Sequence, residues 1–184
     1  KVISISTDCV FSGKKGDYTE YDFKDGEGFY SISKSMGEII NNKDLTIRTS
    51  IIGPELNKNG IGLFNWFMLQ NNLINGYSKA FWSGISTVEL AKVIHQTIQQ
   101  QISGLIIVSG NPKISKFDLL KLFNLIFKDN SLNIIENSKY LVDKSMISSR
   151  NDFNYITPSY QNMIIEMKEW ILNYNLLYKH YKTN

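Results

Sequence analysis

Lys1-Val2-Ile3-Ser4-Ile5-Ser6-Thr7-Asp8 opens the chain, and two further segments decide how it folds: Phe29-Tyr30-Ser31-Ile32-Ser33-Lys34, then Leu45-Thr46-Ile47-Arg48-Thr49-Ser50-Ile51-Ile52. The first has the alternating, β-branched character of a strand and ends on the polar pair Thr7-Asp8. Gly13 to Gly28 is rich in Gly, Asp and Lys and reads as a loop. From Phe29 the apolar positions Phe29, Ile32, Met36, Ile39 and Ile40 recur at helical spacing, which predicts a helix with that stripe buried and Tyr30 and Lys34 beside it. Leu45 to Ile52 returns to strand character. Strand, loop, helix and strand in this order predict a right-handed βαβ unit. Thr7 and Asp8 then lie at the carboxyl end of its first strand, the edge where open α/β sheets bind ligands.

Tyr30 and Lys34 stand one helical turn apart on one face. A phenol titrates near ~10 and by itself is a weak proton donor at neutral pH, whereas an ammonium nearby favours the phenolate. Lys34 supplies such a charge, and Thr7 offers a hydroxyl to the same carbonyl oxygen that Tyr30 would protonate. The set suits reduction of a ketone by hydride from a nicotinamide that the protein positions. The pair alone is a weak signal. The chain has 10 Tyr, and all of its 20 basic residues except Arg48 and Arg150 are lysines, so a chance pair on a solvated face is the better reading without its context.

The context is specific. Ser6-Thr7-Asp8-Cys9-Val10-Phe11-Ser12-Gly13, Tyr18-Thr19-Glu20, Tyr30-Ser31-Ile32-Ser33-Lys34-Ser35-Met36-Gly37-Glu38 and Arg48-Thr49-Ser50 occur in that order. Together they resemble the extended short-chain dehydrogenase/reductase superfamily, and within it the dTDP-4-dehydrorhamnose reductase group of sugar-nucleotide enzymes. The likeness continues more weakly through Gly84 to Ala91, Gly104 to Gly110 and Asp143 to Arg150. The resemblance implies a C-terminal part of a Rossmann-like, doubly wound parallel α/β sheet with a smaller, mainly helical substrate-binding lobe. Residues 1–53 would carry the catalytic part of the nucleotide-binding domain, 54–103 the substrate lobe, 104–112 a strand returning to the sheet, and 113–184 the rest of the lobe with the C-terminal helices.

The resemblance also assigns roles. Tyr30 is the catalytic acid, Lys34 its electrostatic partner and ribose ligand, and Thr7 the hydroxyl at the carbonyl. Tyr30, Lys34, Thr49 and Ser50 would meet an NADP or NAD cofactor; Thr7, Asp8, Ile51 and Arg150 would meet a nucleotide-sugar substrate. For Arg150, bidentate contact with a diphosphate and a solvated loop arginine are equally good readings. The implied activity is reduction of a 4-keto group on a nucleotide-activated deoxysugar, in bacterial surface polysaccharide precursor synthesis. A sugar-nucleotide epimerase or dehydratase is one alternative, and a non-catalytic binding subunit on the same fold is another. A homodimer built on the Tyr30 helix is also implied.

The chain departs from the pattern in two ways. Rhamnose reductases often carry an aromatic residue after Arg-Thr-Ser, where this chain has Ile51. No Gly-x-x-Gly-x-x-Gly or Gly-x-Gly-x-x-Gly run occurs, so nothing lets the backbone approach a pyrophosphate at a helix N-terminus. In the family that element precedes the strand that opens this chain. The expectation is therefore a C-terminal portion, with roughly 100 residues of cofactor-binding sheet before Lys1 at ~30 residues per βαβ unit.

Composition narrows the class further. With 184 residues and 42% hydrophobic content the chain can bury a substantial core, and no apolar run approaches the ~20 residues of a membrane span. The net charge of +3 is spread along the chain without the clustered footprint of a nucleic-acid binder. One cysteine, Cys9, excludes an internal disulfide and fits a reducing, cytoplasmic setting; its expected role is a buried small hydrophobe. No metal site is expected, because His95 lacks partners at ligand spacing and reads as structural, and His180 reads as solvated.

Downstream, Gly62 to Gln70 predicts an aromatic helix, and Phe81-Trp82 a short strand. Ser86 with Glu89 predicts a capping box before a helix that buries Val88, Ala91, Val93, Ile94 and Ile98. Gly104 to Ser109 predicts a strand buried in a parallel sheet. Ser115 and Asp118 open a helix with Leu119, Leu120, Leu122, Phe123 and Ile126 inside. A strand near Leu132 to Ile135 follows, and a last helix from about Ser159 to Tyr178 packs Met163, Ile164, Met167, Trp170, Ile171 and Tyr174.

Overall fold

A computed structural model describes residues 1–181. In chain order its elements are β1 (Ile3–Ser6), a 3-10 turn (Asp8–Val10), α1 (Gly28–Met36), β2 (Leu45–Arg48), β3 (Ile51–Ile52), α2 (Leu63–Met68), β4 (Ile74–Tyr77), β5 (Ala80–Trp82), β6 (Ile85–Ser86) and α3 (Thr87–Gln99). They continue with β7 (Gly104–Ile107), β8 (Ile114–Ser115), α4 (Lys116–Lys128), β9 (Ile134–Asn137), β10 (Val142–Asp143) and α5 (Tyr160–Asn173).

The sheet that positions the site is parallel, in the order β1-β2-β7. Ile3 faces Leu45 and Ser6 faces Arg48, while Leu45 faces Gly104 and Arg48 faces Ile107. All three strands therefore end level, and Thr7, Thr49 and Val108 follow at one carboxyl edge. β2 is buried throughout, as a central strand must be. Its two polar residues are satisfied: Thr46 Oγ1 donates to the Ile39 carbonyl at 2.8 Å and accepts from the Ile39 N–H at 3.0 Å, and Arg48 pairs with Glu38. β1 is only partly buried and is paired on one side among the described residues.

The strand expected to run from Leu45 to Ile52 breaks at Thr49-Ser50. Ile51 and Ile52 leave the sheet and pair in parallel with β6. The second half of the chain is mainly helical, with small sheets between the helices in which β4 pairs with β9 in parallel and β5 lies between β10 and β8.

Below this sheet lies one large core. Phe64 and Phe67 of α2 meet Phe123 of α4, each with ring centroids 5.4 Å apart, and Met163, Ile164, Met167 and Ile171 of α5 close the far side. A smaller cluster of Val10, Phe11, Tyr18, Ile107 and Met146 sits under the Gly13–Gly28 loop. Phe11 and Tyr18 stack at 4.1 Å, and the Tyr18 hydroxyl accepts from the Gly13 and Lys15 N–H groups, so the loop is folded around a buried phenol.

Ser86, Ser115 and Ser159 cap α3, α4 and α5 as third-residue N–H acceptors. The capping box at α3 is only half formed, because the Glu89 carboxylate accepts from the Tyr155 hydroxyl at 2.6 Å instead of returning to the backbone. The buried face differs from the expected one: Leu90, Val93 and Thr97 are inside, while Ala91 and Ile98 are exposed. On α5, Trp170 and Tyr174 likewise lie largely outside the stripe. His95 is exposed rather than structural, and His180 is half-buried with its ring 4.2 Å from that of Tyr181.

The largest correction concerns α1. Its apolar stripe faces outward, with Phe29 90% and Met36 83% exposed. The helix ends at Met36, so Ile39 and Ile40 lie beyond it. The inward face is polar and short: Ser31 is buried, and Lys34 and Ser35 are half-buried.

Candidate active site

Lys34 fixes α1 to the sheet edge. Its Nζ donates to the Ile5 carbonyl of β1 at 2.6 Å, which places Tyr30, one turn earlier, beside the carboxyl end of that strand. The Tyr30 ring is half exposed, and its hydroxyl has no protein partner among the described residues. A second tie holds the other end of the helix. Glu38, just past α1, accepts from Arg48 Nε at 2.8 Å and Nη2 at 2.7 Å, from Ser6 Oγ at 2.7 Å and from Lys24 Nζ at 3.0 Å. Burial would raise the Glu38 pKa, but the Arg48 and Ser6 hydrogen bonds outweigh it and hold the carboxyl below its ordinary range. Arg48 is fully buried, with its guanidinium 5.1 Å from the Phe11 ring centroid.

Thr7 caps the 3-10 turn. Its Oγ1 accepts from the Cys9 N–H at 3.1 Å and donates to Asp8 Oδ1 at 3.1 Å. Asp8 is buried and, with Cys9 and Ser50, lines a cavity of about 510 Å³ completed by Trp66, Tyr77, Trp82, Lys116, Tyr140 and Lys144 among others. Ser50 Oγ accepts from the Trp82 indole at 2.7 Å. Gly84 permits this contact, since a Cβ there would collide with the Ser50 carbonyl and the Trp82 ring. Cys9 is half-buried at the cavity wall rather than sealed in the core, and burial followed by the Asp8 charge pushes its thiol pKa up. The residue beside Asp8 is thus a neutral thiol, not a second acid.

The structure therefore brings Thr7, Asp8, Ser50, Tyr30 and Lys34 to one edge. Three other residues are placed differently. Thr49 is buried and its hydroxyl donates to the Ser50 carbonyl at 3.3 Å. Ile51 begins β3 and is half exposed, outside the cavity wall. Arg150 lies at the opposite end of the sheet. Its Nη1 donates to the carbonyls of Ser103 at 2.6 Å and Leu105 at 3.1 Å, at the amino end of β7, and its other nitrogens pair with Asp152. The sequence reading missed Lys116 and Lys144. Lys116 was hidden behind a good N-cap, and Lys144 sits in the same polar stretch as the more conspicuous Arg150.

A parallel sheet with a Tyr-x-x-x-Lys helix at its carboxyl edge and a cavity alongside is a Rossmann-like α/β arrangement. In fold the chain is similar to solved structures of dTDP-4-dehydrorhamnose reductases, a dTDP-glucose 4,6-dehydratase and sugar-nucleotide 4-epimerases. The Bacillus anthracis dTDP-4-dehydrorhamnose reductase in complex with NADP matches with a TM-score of 0.74 at 23% identity, over 91% of this chain and 64% of that one. A hypothetical dTDP-4-dehydrorhamnose reductase from Sulfolobus tokodaii matches with a TM-score of 0.67 at 26% identity, over 88% and 62%. The dTDP-glucose 4,6-dehydratase of Bacillus anthracis in complex with NAD matches with a TM-score of 0.72 at 15% identity, over 99% and 65%. The chain thus spans a little under two thirds of the length of these neighbours. No protein-family model matches the sequence, and no curated protein does.

Among the described residues no helix is long and apolar enough to cross a membrane, and no group of three or more His, Cys, Asp or Glu is placed to hold a metal ion.

Proposed function

We propose that the chain carries the catalytic edge and substrate cavity of an NAD(P)H-dependent reductase of a 4-keto sugar nucleotide, of the kind used to make surface polysaccharide precursors in the bacterial cytoplasm. The observation that carries this reading is the Lys34 bond to the Ile5 carbonyl, which sets the Tyr30 helix beside the cavity that Asp8 and Ser50 line. Tyr30 donates its phenolic proton to the C4 oxygen as the carbonyl becomes an alcohol. Lys34 stabilises the phenolate left behind. The Thr7 hydroxyl, which donates to Asp8 here, turns to the same oxygen when a carbonyl occupies the site. Asp8 is then free to accept from a sugar hydroxyl.

The donor set fits the nicotinamide end of a dinucleotide: Tyr30 has a free hydroxyl, and the Lys34 ammonium keeps further N–H groups for a ribose. A bound nicotinamide would supply the hydride. The described residues hold no glycine-rich cradle for its pyrophosphate. Calorimetric titration of residues 1–184 with NADPH is accordingly expected to show no micromolar binding, and micromolar binding would contradict this assignment. The whole reading is tested by NADPH oxidation on adding a 4-keto sugar nucleotide to the full gene product; absence of substrate-dependent oxidation would refute it.

The neutral Cys9 beside Asp8 favours a reductase over a dehydratase, which commonly uses an acidic pair there. The exposed apolar face of α1 supports a homodimer paired through Phe29, Ile32 and Met36. Phe29→Lys should convert the dimer to a monomer in sedimentation velocity without loss of helical signal. A wild type that sediments as a monomer would remove this part of the proposal.

A further inference from the structure

A larger cavity, of about 840 Å³, shares no lining residue with the one beside Asp8. It forms where the segment before α2, the end of α4 and the chain after α5 meet, and its volume is within the ~300–1,000 Å³ of small-ligand sites. His180 marks it. The Nε2 atom of that ring is buried and has no hydrogen-bond partner among the described residues, although buried polar atoms are ordinarily satisfied. Lys58 and Lys128 stand on the same wall against one carboxylate, Asp129. Lys58 is exposed. The Lys128 ammonium donates to the carbonyls of Met68, at 3.1 Å, and of Gln70, which leaves it one further N–H. Burial pushes the Lys128 pKa down, so a negative group beside it is favourable.

Nitrogen donors thus come from three separate segments. A phosphomonoester offers three terminal oxygens and about −1.5 to −2 charges at pH 7, whereas a carboxylate offers two oxygens and a single charge. Asn59, Asn71 and Ser131 extend the polar wall, and each both donates and accepts, as the hydroxyls of a sugar do. The same cavity backs α2. Along this helix of 6 residues, Leu63 and Trp66 line the cavity beside Asp8, while Asn65 and Met68 line the larger one. Asn65 Nδ2 donates to the Gly60 carbonyl at 2.6 Å, and Lys128 holds carbonyls at the C-terminal end of the helix, so α2 is fixed from the side of the larger cavity.

We propose that the larger cavity is an effector site for a sugar phosphate, with Lys58, Lys128 and His180 Nε2 taking the phosphate and α2 passing the event to Trp66 in the cavity beside Asp8. Lys128 is the coupling group. A phosphoryl oxygen that draws its ammonium loosens its hold on the Met68 and Gln70 carbonyls, and Trp66 stands two residues before Met68 on the same short helix. The site lies apart from the catalytic edge and does not depend on the sugar-nucleotide reading. By linkage, the factor by which the sugar phosphate changes affinity in the cavity beside Asp8 is the factor by which a ligand there changes affinity for the sugar phosphate.

Calorimetry on the full gene product with glucose 6-phosphate, glucose and inorganic phosphate tests the site, and tryptophan fluorescence tests the coupling. The wild type should bind glucose 6-phosphate with a submillimolar Kd. Lys58→Met and His180→Phe should each bind it about 10-fold more weakly, as for the loss of one hydrogen bond to a charged group. Lys58 is exposed, and a phenyl ring keeps the packing of position 180 on Tyr181, so neither thermal midpoint should fall. Glucose and inorganic phosphate should each bind at least about 10-fold more weakly than glucose 6-phosphate. Binding should change the emission of the wild type and leave that of Trp66→Phe unchanged. No binding of glucose 6-phosphate, or equal affinity in the wild type and both variants, would overturn the site. Inorganic phosphate bound as tightly as glucose 6-phosphate would overturn the sugar part. An unchanged wild-type emission, or a change that persists in Trp66→Phe, would overturn the coupling through α2. Each of these results is independent of NADPH oxidation, so failure here and failure of the reductase reading are told apart.

Discussion

Glu38→Ala should lower the unfolding free energy by about 3–5 kcal/mol, because it leaves Arg48 charged and unpaired in the middle of the sheet. Arg48 stands on the central strand, is 1% exposed, and receives its charge balance from Glu38 alone among the described carboxylates within ion-pair distance. Ser6 and Lys24 lose their acceptor in the same variant, so the end of α1 detaches from β1 as well. The double variant Glu38→Met with Arg48→Met should be less damaging than Glu38→Ala, since it removes the desolvation of both charges. Urea unfolding of the three proteins measures this. A change of less than about 1 kcal/mol for Glu38→Ala would place the pair among ordinary surface bridges and contradict the structure. The pH dependence has a definite sign. The folded-state pKa of Glu38 is lowered, so its contribution is present above the unfolded value near 4.5 and is lost as pH falls through the lower folded value.

Tyr30→Phe should reduce kcat by about 10²- to 10⁴-fold in the full gene product, the range for loss of a positioned proton donor. The substitution removes one oxygen from a side chain that is 58% exposed and makes no hydroxyl hydrogen bond within the chain. Stability and nucleotide affinity should therefore stay close to the wild type. Lys34→Met is the informative companion, because it removes both the charge and the bond to the Ile5 carbonyl. It should lower kcat, since the phenolate left after proton transfer then lacks its cation, and it should also lower stability. Steady-state kinetics with thermal unfolding separates the two variants. An unchanged rate for Tyr30→Phe would remove Tyr30 from the chemistry.

Much of this was legible in the sequence because local patterns report local structure. The alternating Ile3–Ser6 run, the apolar Gly104–Ile107 run and the Ser-capped helices depend on neighbours within a few residues, and they formed where their patterns indicated. The face of α1 was misread for a general reason: periodicity at Phe29, Ile32 and Met36 identifies an apolar stripe but not what covers it. The break at Thr49-Ser50 was invisible because Ile51 and Ile52 continue a β-branched run; it depends on pairing with β6 and on the Trp82 contact to Ser50, both more than thirty residues away in sequence. Arg150 drew attention because a guanidinium suits a diphosphate, yet the fold uses it to satisfy two carbonyls at the amino end of β7.

The Tyr30-Lys34 pair on α1, the proposed proton source, and the cavity that Asp8 lines are placed by the same sheet edge. Both follow from the level ends of β1, β2 and β7, which gather Thr7 and Ser50 at the same edge. Under the proposed function the reaction is a reduction, with the proton from Tyr30 and the hydride from a dissociable cofactor.

Label transfer tests that claim most directly. The full gene product is incubated with NADPH deuterated at the transferable nicotinamide position and with a dTDP-linked 4-keto deoxysugar, and the product is read by NMR. The account predicts one deuterium at sugar C4 for each NADPH oxidised, and loss of that transfer in Tyr30→Phe. Conversion of the sugar without label, as a tightly held NAD that recycles its own hydride would give, or no conversion at all, would contradict it.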